Sequence, residues 1–164
     1  MQTKQQTSKE YFNTLAIIHA ALIIGQLLFA CVAFYVNSKG ETADESELND
    51  LLLLAAPILA FSGIIGSSFL TKTRLKLIKE KTSLKEKLSE YQTTLIISFA
   101  LLEGPSIFSL VCYLLTANYI FLAIAGLIIV IFFVIKPTRQ KTIKDLALNH
   151  QERDLIEDPK AIII

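Results

Sequence analysis

Apolar and polar stretches alternate along this chain in long blocks. Tyr11 to Val36, Leu51 to Leu70, Thr94 to Leu115 and Ile120 to Ile135 are the apolar runs, and polar segments separate them. Runs of this kind predict transmembrane helices, since roughly 20 apolar residues in helical form cross a ~30 Å hydrocarbon core. The first run is also longer than the ~7–15 residue core of a secretory signal, so a retained helix is expected. In the second run Ala56, Ala60, Gly63 and Ser67 are spaced to line one helix face, a stripe that lets a neighbouring helix approach closely. Pro57 lies in the same run, where neighbouring groups can absorb a kink.

The polar segments differ in sign. Residues 37–50 are acidic, with Glu41, Asp44, Glu45, Glu47 and Asp50 against Lys39. Residues 71–92 are the most basic, and leucines interrupt the charge. Ser83 followed by Glu86 fits a capping box, so the second helix is expected to run past the membrane, turn near Thr82 and return as the third. Ala117-Asn118 is a very short turn before the fourth run, which Lys136-Pro137 closes. A single tail helix is expected from Pro137-Thr138, with Ile143, Leu146 and Leu148 on its apolar side, ending at Asp158-Pro159. The apolar residues Ala161 to Ile164 fit no element.

Lysine and arginine excess marks the cytoplasmic side of a membrane protein. The N-terminal segment, residues 71–92 and the tail are basic-rich, whereas the 37–50 loop and the short turn are not. The expected arrangement is multi-pass in the cell (inner or plasma) membrane, with both termini cytoplasmic. Composition agrees: a mean hydropathy of +0.51 and 52% hydrophobic residues exceed what a soluble domain of 164 residues needs. A net charge of +1 argues against nucleic acid as a partner. Cys31 and Cys112 both lie in apolar runs and read as small buried hydrophobes. No common catalytic or metal-binding motif occurs, so no enzyme, cofactor or metal is expected.

Candidate chemistry centres on Glu103. At ~1.5 Å per residue it lies ~15 Å from the boundary near Thr93, about mid-membrane. An acid there costs ~2.5–3.5 kcal/mol on insertion scales and ordinarily faces a partner or a cavity. His19 and Ser62 are matched to it in depth, with Gln26 next, so these are the expected hydrogen-bond partners. Two uses of the acid stand open, a protonated glue between helices and the handling of protons or cations. Ser62 is also expected to bond back to its own helix. In the basic segment Lys76, Lys79 and Lys81 are candidate contacts for anionic lipid.

Glu103-Gly104-Pro105-Ser106-Ile107-Phe108-Ser109-Leu110-Val111, continuing to Ala117-Asn118, resembles the second helix of the rotor-ring proteolipid (subunit c) of rotary ATP synthases. The resemblance covers about residues 51–118 and implies that Glu103 binds a transported proton or sodium ion. The chain departs from that family in its long basic hairpin, in Pro105 and in its first and fourth apolar runs, which speaks against a rotor subunit proper. The whole chain also resembles small bacterial four-helix membrane proteins, which implies no function.

The expected fold is thus all-α: a four-helix transmembrane bundle over residues 1–136, with a cytoplasmic basic helical hairpin and a cytoplasmic amphipathic tail over 137–164. The expected function is that of a small, proteolipid-like integral membrane protein. The alternatives are a proton- or cation-handling oligomer and a structural or accessory subunit. Expected partners are membrane lipids and either further copies of the chain or a larger membrane complex.

Overall fold

Long apolar runs give long helices here, and α2 and α3 continue through the internal prolines Pro57 and Pro105. The computed structural model describes residues 6–39 and 46–164. It contains α1 (Ser8–Ser38), α2 (Ser46–Lys79), α3 (Leu84–Thr116), α4 (Tyr119–Val134), α5 (Arg139–Leu146) and α6 (His150–Glu157). Among the described residues there is no β-strand beyond one isolated bridge. The acidic-loop residues Glu41, Asp44 and Glu45 lie outside the described residues.

Three helices, α1, α2 and α3, are long and apolar enough to cross a membrane. The fourth apolar run is helical over nearly its expected bounds but short for a span. α4 has 16 residues, about 24 Å of helix, and meets α5 at a bend of 81°. The count of spanning helices is therefore three, or four if this bent pair is one span. Apolar side chains such as Ile17, Leu28, Phe61, Phe69 and Val134 are exposed on the outer faces. An outer surface of this composition is consistent with a membrane protein.

α3 is the hub. Half of its most apolar window is buried, against 22% for α1 and α2, and it packs on α1, α2 and α4. The small stripe of α2 is the reason α2 comes so near. Ala56, Ala60, Gly63 and Ser67 are all buried. Pro105 has no N–H to give to the carbonyl four residues back, that of Leu101. Gly63 sits against both groups: a Cβ built on it would fall 2.6 Å from the Leu101 oxygen and 2.6 Å from Pro105 Cγ. Only glycine fits this crossing.

α2 runs on to Lys79 and α3 begins at Leu84, as the hairpin reading requires. The capping box does not form, because the Ser83 side chain makes no cap hydrogen bond and Glu86 is exposed. Lys81 pairs with Glu90 across the turn instead, at 3.2 Å. The tail is likewise two helices and not one. Ala147 takes a left-handed conformation (φ 49°) and ends α5, and a capping box of Asn149 and Glu152 starts α6. Cys112 is buried, but Cys31 is exposed on the outward face of α1, since the burial stripe of that helix runs through Tyr11, Leu15, His19, Ile23 and Gln26 instead.

The tail folds back on the base of α1 and α3. Lys87 Nζ lies 2.7 Å from Glu152 Oε1 in a pair only 10% and 11% exposed. Ser8 Oγ donates to Ile156 O at 2.6 Å, and Tyr11 OH to Leu88 O at 2.8 Å. The C-terminal apolar residues have a place here: Gln6 N donates to Ile164 O, Ile163 N to Gln6 O, and Ile163 is buried. The described N-terminal residues and the tail therefore share one end of the bundle with the α2–α3 turn. The opposite end holds the α3–α4 turn, where Asn118 Nδ2 donates to Asn49 Oδ1 at 2.9 Å.

Candidate functional site

Glu103 stands on the rim of the buried face of α3. Phe99, Ser106 and Leu110 are buried, and Ile96 and Ile107 are exposed. At about 100° per residue, Glu103 lies about 20° beyond Leu110 on one side and about 20° from Ile96 on the other. It is half-buried and has no hydrogen-bond or ion-pair partner among the described residues.

The structure does not bring the three expected partners to it. Ser62 is on α2, which meets α3 at Pro105, about 160° round the helix from Glu103. Ser62 is exposed, and its hydroxyl donates to Leu59 O of its own helix at 2.8 Å. His19 is buried, and its Nε2 donates to Phe132 O of α4 at 2.8 Å. The reason lies in helix ends: the last carbonyls of α4 have no helical donor of their own, and His19 satisfies one of them. Its ring packs edge-on to Phe99 at 5.2 Å and beside Phe132 at 6.1 Å. His19 thus ties α1, α3 and α4 together.

Gln26 is buried on α1 and donates Nε2 to Leu22 O at 3.2 Å. Among the described residues its Oε1 has no hydrogen-bond partner, and neither has the buried Oγ of Ser106 on α3. The two orphaned atoms belong to helices that pack together, at roughly 20–22 Å from the tail-side boundary by helical rise. Ser106 is three residues on from Glu103, one turn of the same face. The lysines expected to meet lipid are on the surface: Lys76 and Lys79 are exposed, and Lys81 is engaged with Glu90.

A polar set at the tail end escaped the sequence reading. Thr71 Oγ1 and Ser98 Oγ lie 2.7 Å apart across α2 and α3. Tyr91 OH donates to Asp145 Oδ2 at 2.9 Å, from α3 to α5. Burial, and after it the Asp145 carboxylate, push the Tyr91 phenol up, so it remains a neutral donor. No local spacing signals these pairs, because each joins residues on different helices. Among the described residues, no three of His, Cys, Asp and Glu lie together in a way that could hold a metal ion. No family model matches the chain, and no curated protein or solved structure does.

Proposed function

We propose that this chain is a non-enzymatic, multi-pass membrane protein that works by lateral self-association in the bilayer, with the Glu103 carboxyl at the contact. The supporting observation is that Glu103, at mid-span depth and on the rim of α3, has no hydrogen-bond or ion-pair partner among the described residues. An acid left facing lipid costs ~2.5–3.5 kcal/mol. A hydrogen bond between helices returns ~0.6 kcal/mol on average and up to ~1.7, and it removes the lipid exposure as well. Both termini are placed on the cytoplasmic side in this reading, following the basic segments and the shared end at which Gln6 meets Ile163 and Ile164.

The experiment is subunit counting by single-molecule photobleaching in liposomes. Wild type and Glu103→Gln are expected to give the same oligomer, since an amide still hydrogen-bonds. Glu103→Leu is expected to give monomers. A monomeric wild type, or an unchanged oligomer in Glu103→Leu, overturns the reading.

Proton or sodium handling is the second reading. The orphaned Gln26 Oε1 and Ser106 Oγ favour it, as buried oxygens that a bound ion or water would satisfy, Ser106 one turn on from the acid. It adds to the resemblance of residues 103–118 to a rotor-ring helix. Labelling of Glu103 by a hydrophobic carbodiimide is then expected to fall as sodium or pH rises. Labelling indifferent to both removes this reading.

A further inference from the structure

The second half of α2, the first half of α3, the bend after α4 and α5 line a half-open cleft of about 230 Å³. It is far larger than the ~10–15 Å³ that admits one water. Its walls divide by chemistry. Leu95, Phe99 and Ile135 form the apolar part. Lys72 of α2 and Lys141 of α5 are the cationic residues of its lining. Ser67, Ser68, Thr71 and Ser98 add hydroxyls.

The charges in the cleft are unbalanced. Neither Lys72 nor Lys141 has a carboxylate partner among the described residues. Among the described residues, the hydrogen bond of Lys141 Nζ goes to the Ile135 carbonyl, at 3.3 Å. Asp145 also lines the cleft, but one of its oxygens is held by Tyr91 OH. Two ammoniums and one carboxylate leave a net positive site. It can take an anion on the lysines and still offer Asp145 Oδ1 to a hydroxyl donor.

The position selects the source of that anion. The apolar run of α2 ends at Leu70, inside the stretch Ser67–Lys72 that contributes to the cleft. On the membrane reading, the cleft opens at headgroup level with its apolar part toward the acyl chains. We propose that it binds the headgroup of an anionic phospholipid. Lys72 and Lys141 hold the phosphodiester, and Asp145 accepts from headgroup hydroxyls such as those of phosphatidylglycerol. A bound lipid would bridge α2 to α5 and hold the tail on the bundle. The site is distinct from Lys76, Lys79 and Lys81, which are exposed on the hairpin beyond it.

Native mass spectrometry of the full chain in detergent tests this, with titration by phosphatidylglycerol, phosphatidylcholine or inorganic phosphate. Phosphatidylglycerol is expected to bind at least tenfold more tightly than phosphatidylcholine. The Lys72→Gln/Lys141→Gln variant is expected to lose about thirtyfold, from about fivefold per lysine. Lys76→Gln/Lys79→Gln removes the same charge outside the cleft and is expected to lose less than threefold. Ser68→Phe, which keeps both lysines and fills the rim, is expected to block binding. Equal loss in the two lysine variants overturns the proposal in favour of diffuse attraction. Full competition by inorganic phosphate overturns it in favour of a free phosphate site. Unchanged binding in Ser68→Phe places the lipid elsewhere.

Discussion

Replacing Gly63 by alanine adds one methyl group where α2 packs closely on α3. On helix propensity alone the change is favourable by about 0.8–1.0 kcal/mol. The crossing opposes it. The new Cβ would lie 2.6 Å from a backbone oxygen and 2.6 Å from a proline ring carbon, whereas ordinary contact begins at 3.4 Å. Neither Leu101 O nor Pro105 can swing aside as a flexible side chain would, so α2 must move off α3 by several tenths of an ångström. Overpacking of this kind costs about 1–3 kcal/mol, and the separation also opens the contacts of Ala56, Ala60 and Ser67 along the same stripe. A net loss of up to about 2 kcal/mol is expected after the propensity gain is subtracted. Gly66, one turn on in the same helix, has nothing within 4 Å of its Cβ position. Gly66→Ala is therefore expected to be neutral or stabilising by up to about 1 kcal/mol. Both variants are measured by reversible unfolding in mixed micelles with increasing denaturing detergent, followed by circular dichroism. If Gly63→Ala is as stable as Gly66→Ala, the close approach at Leu101 and Pro105 is refuted.

Other expectations concern single contacts. Glu152→Ala leaves Lys87 unpaired and removes half of the α6 capping box, at a cost of about 3–5 kcal/mol. The Lys87→Met/Glu152→Leu pair is expected to recover most of that loss, and hydrogen exchange in α6 checks both. His19→Leu leaves the Phe132 carbonyl without its donor and is expected to lower stability by about 1–3 kcal/mol; an unchanged unfolding midpoint would contradict the capping role. For orientation, Ser46→Cys is expected to react with an impermeant thiol reagent added from outside and Ser83→Cys is not. The reverse pattern would invert the topology.

The apolar runs, the small stripe of α2 and the hairpin turn were legible because each depends on residues close together in the chain. Which neighbour a polar side chain meets was not. His19 and Ser62 match Glu103 in depth, but depth says nothing of angle, and α2 and Glu103 lie on opposite sides of α3. The break in the tail had one readable sign, Asn149 three residues before Glu152, a capping pattern that marks a new helix start. Its other half was hidden, since Ala147 occupies a left-handed position usually held by glycine or asparagine. Ala161 to Ile164 carried no readable sign because their hydrogen-bond partner, Gln6, is at the other end of the chain.

The hydrogen bond from Ser8 to Ile156 joins residues 148 apart. At a synthesis rate of ~5–20 residues per second, roughly 7–30 s pass between their emergence from the ribosome. Throughout that interval the first turn of α1 lacks the cover that α6 and the terminal residues give it. α1, α2 and α3 can meet earlier, because their contacts lie within the first 116 residues. The clasp is consequently the last step of assembly. A nascent chain halted before Arg139 would hold the hub of its bundle and still display an open base to proteases and chaperones.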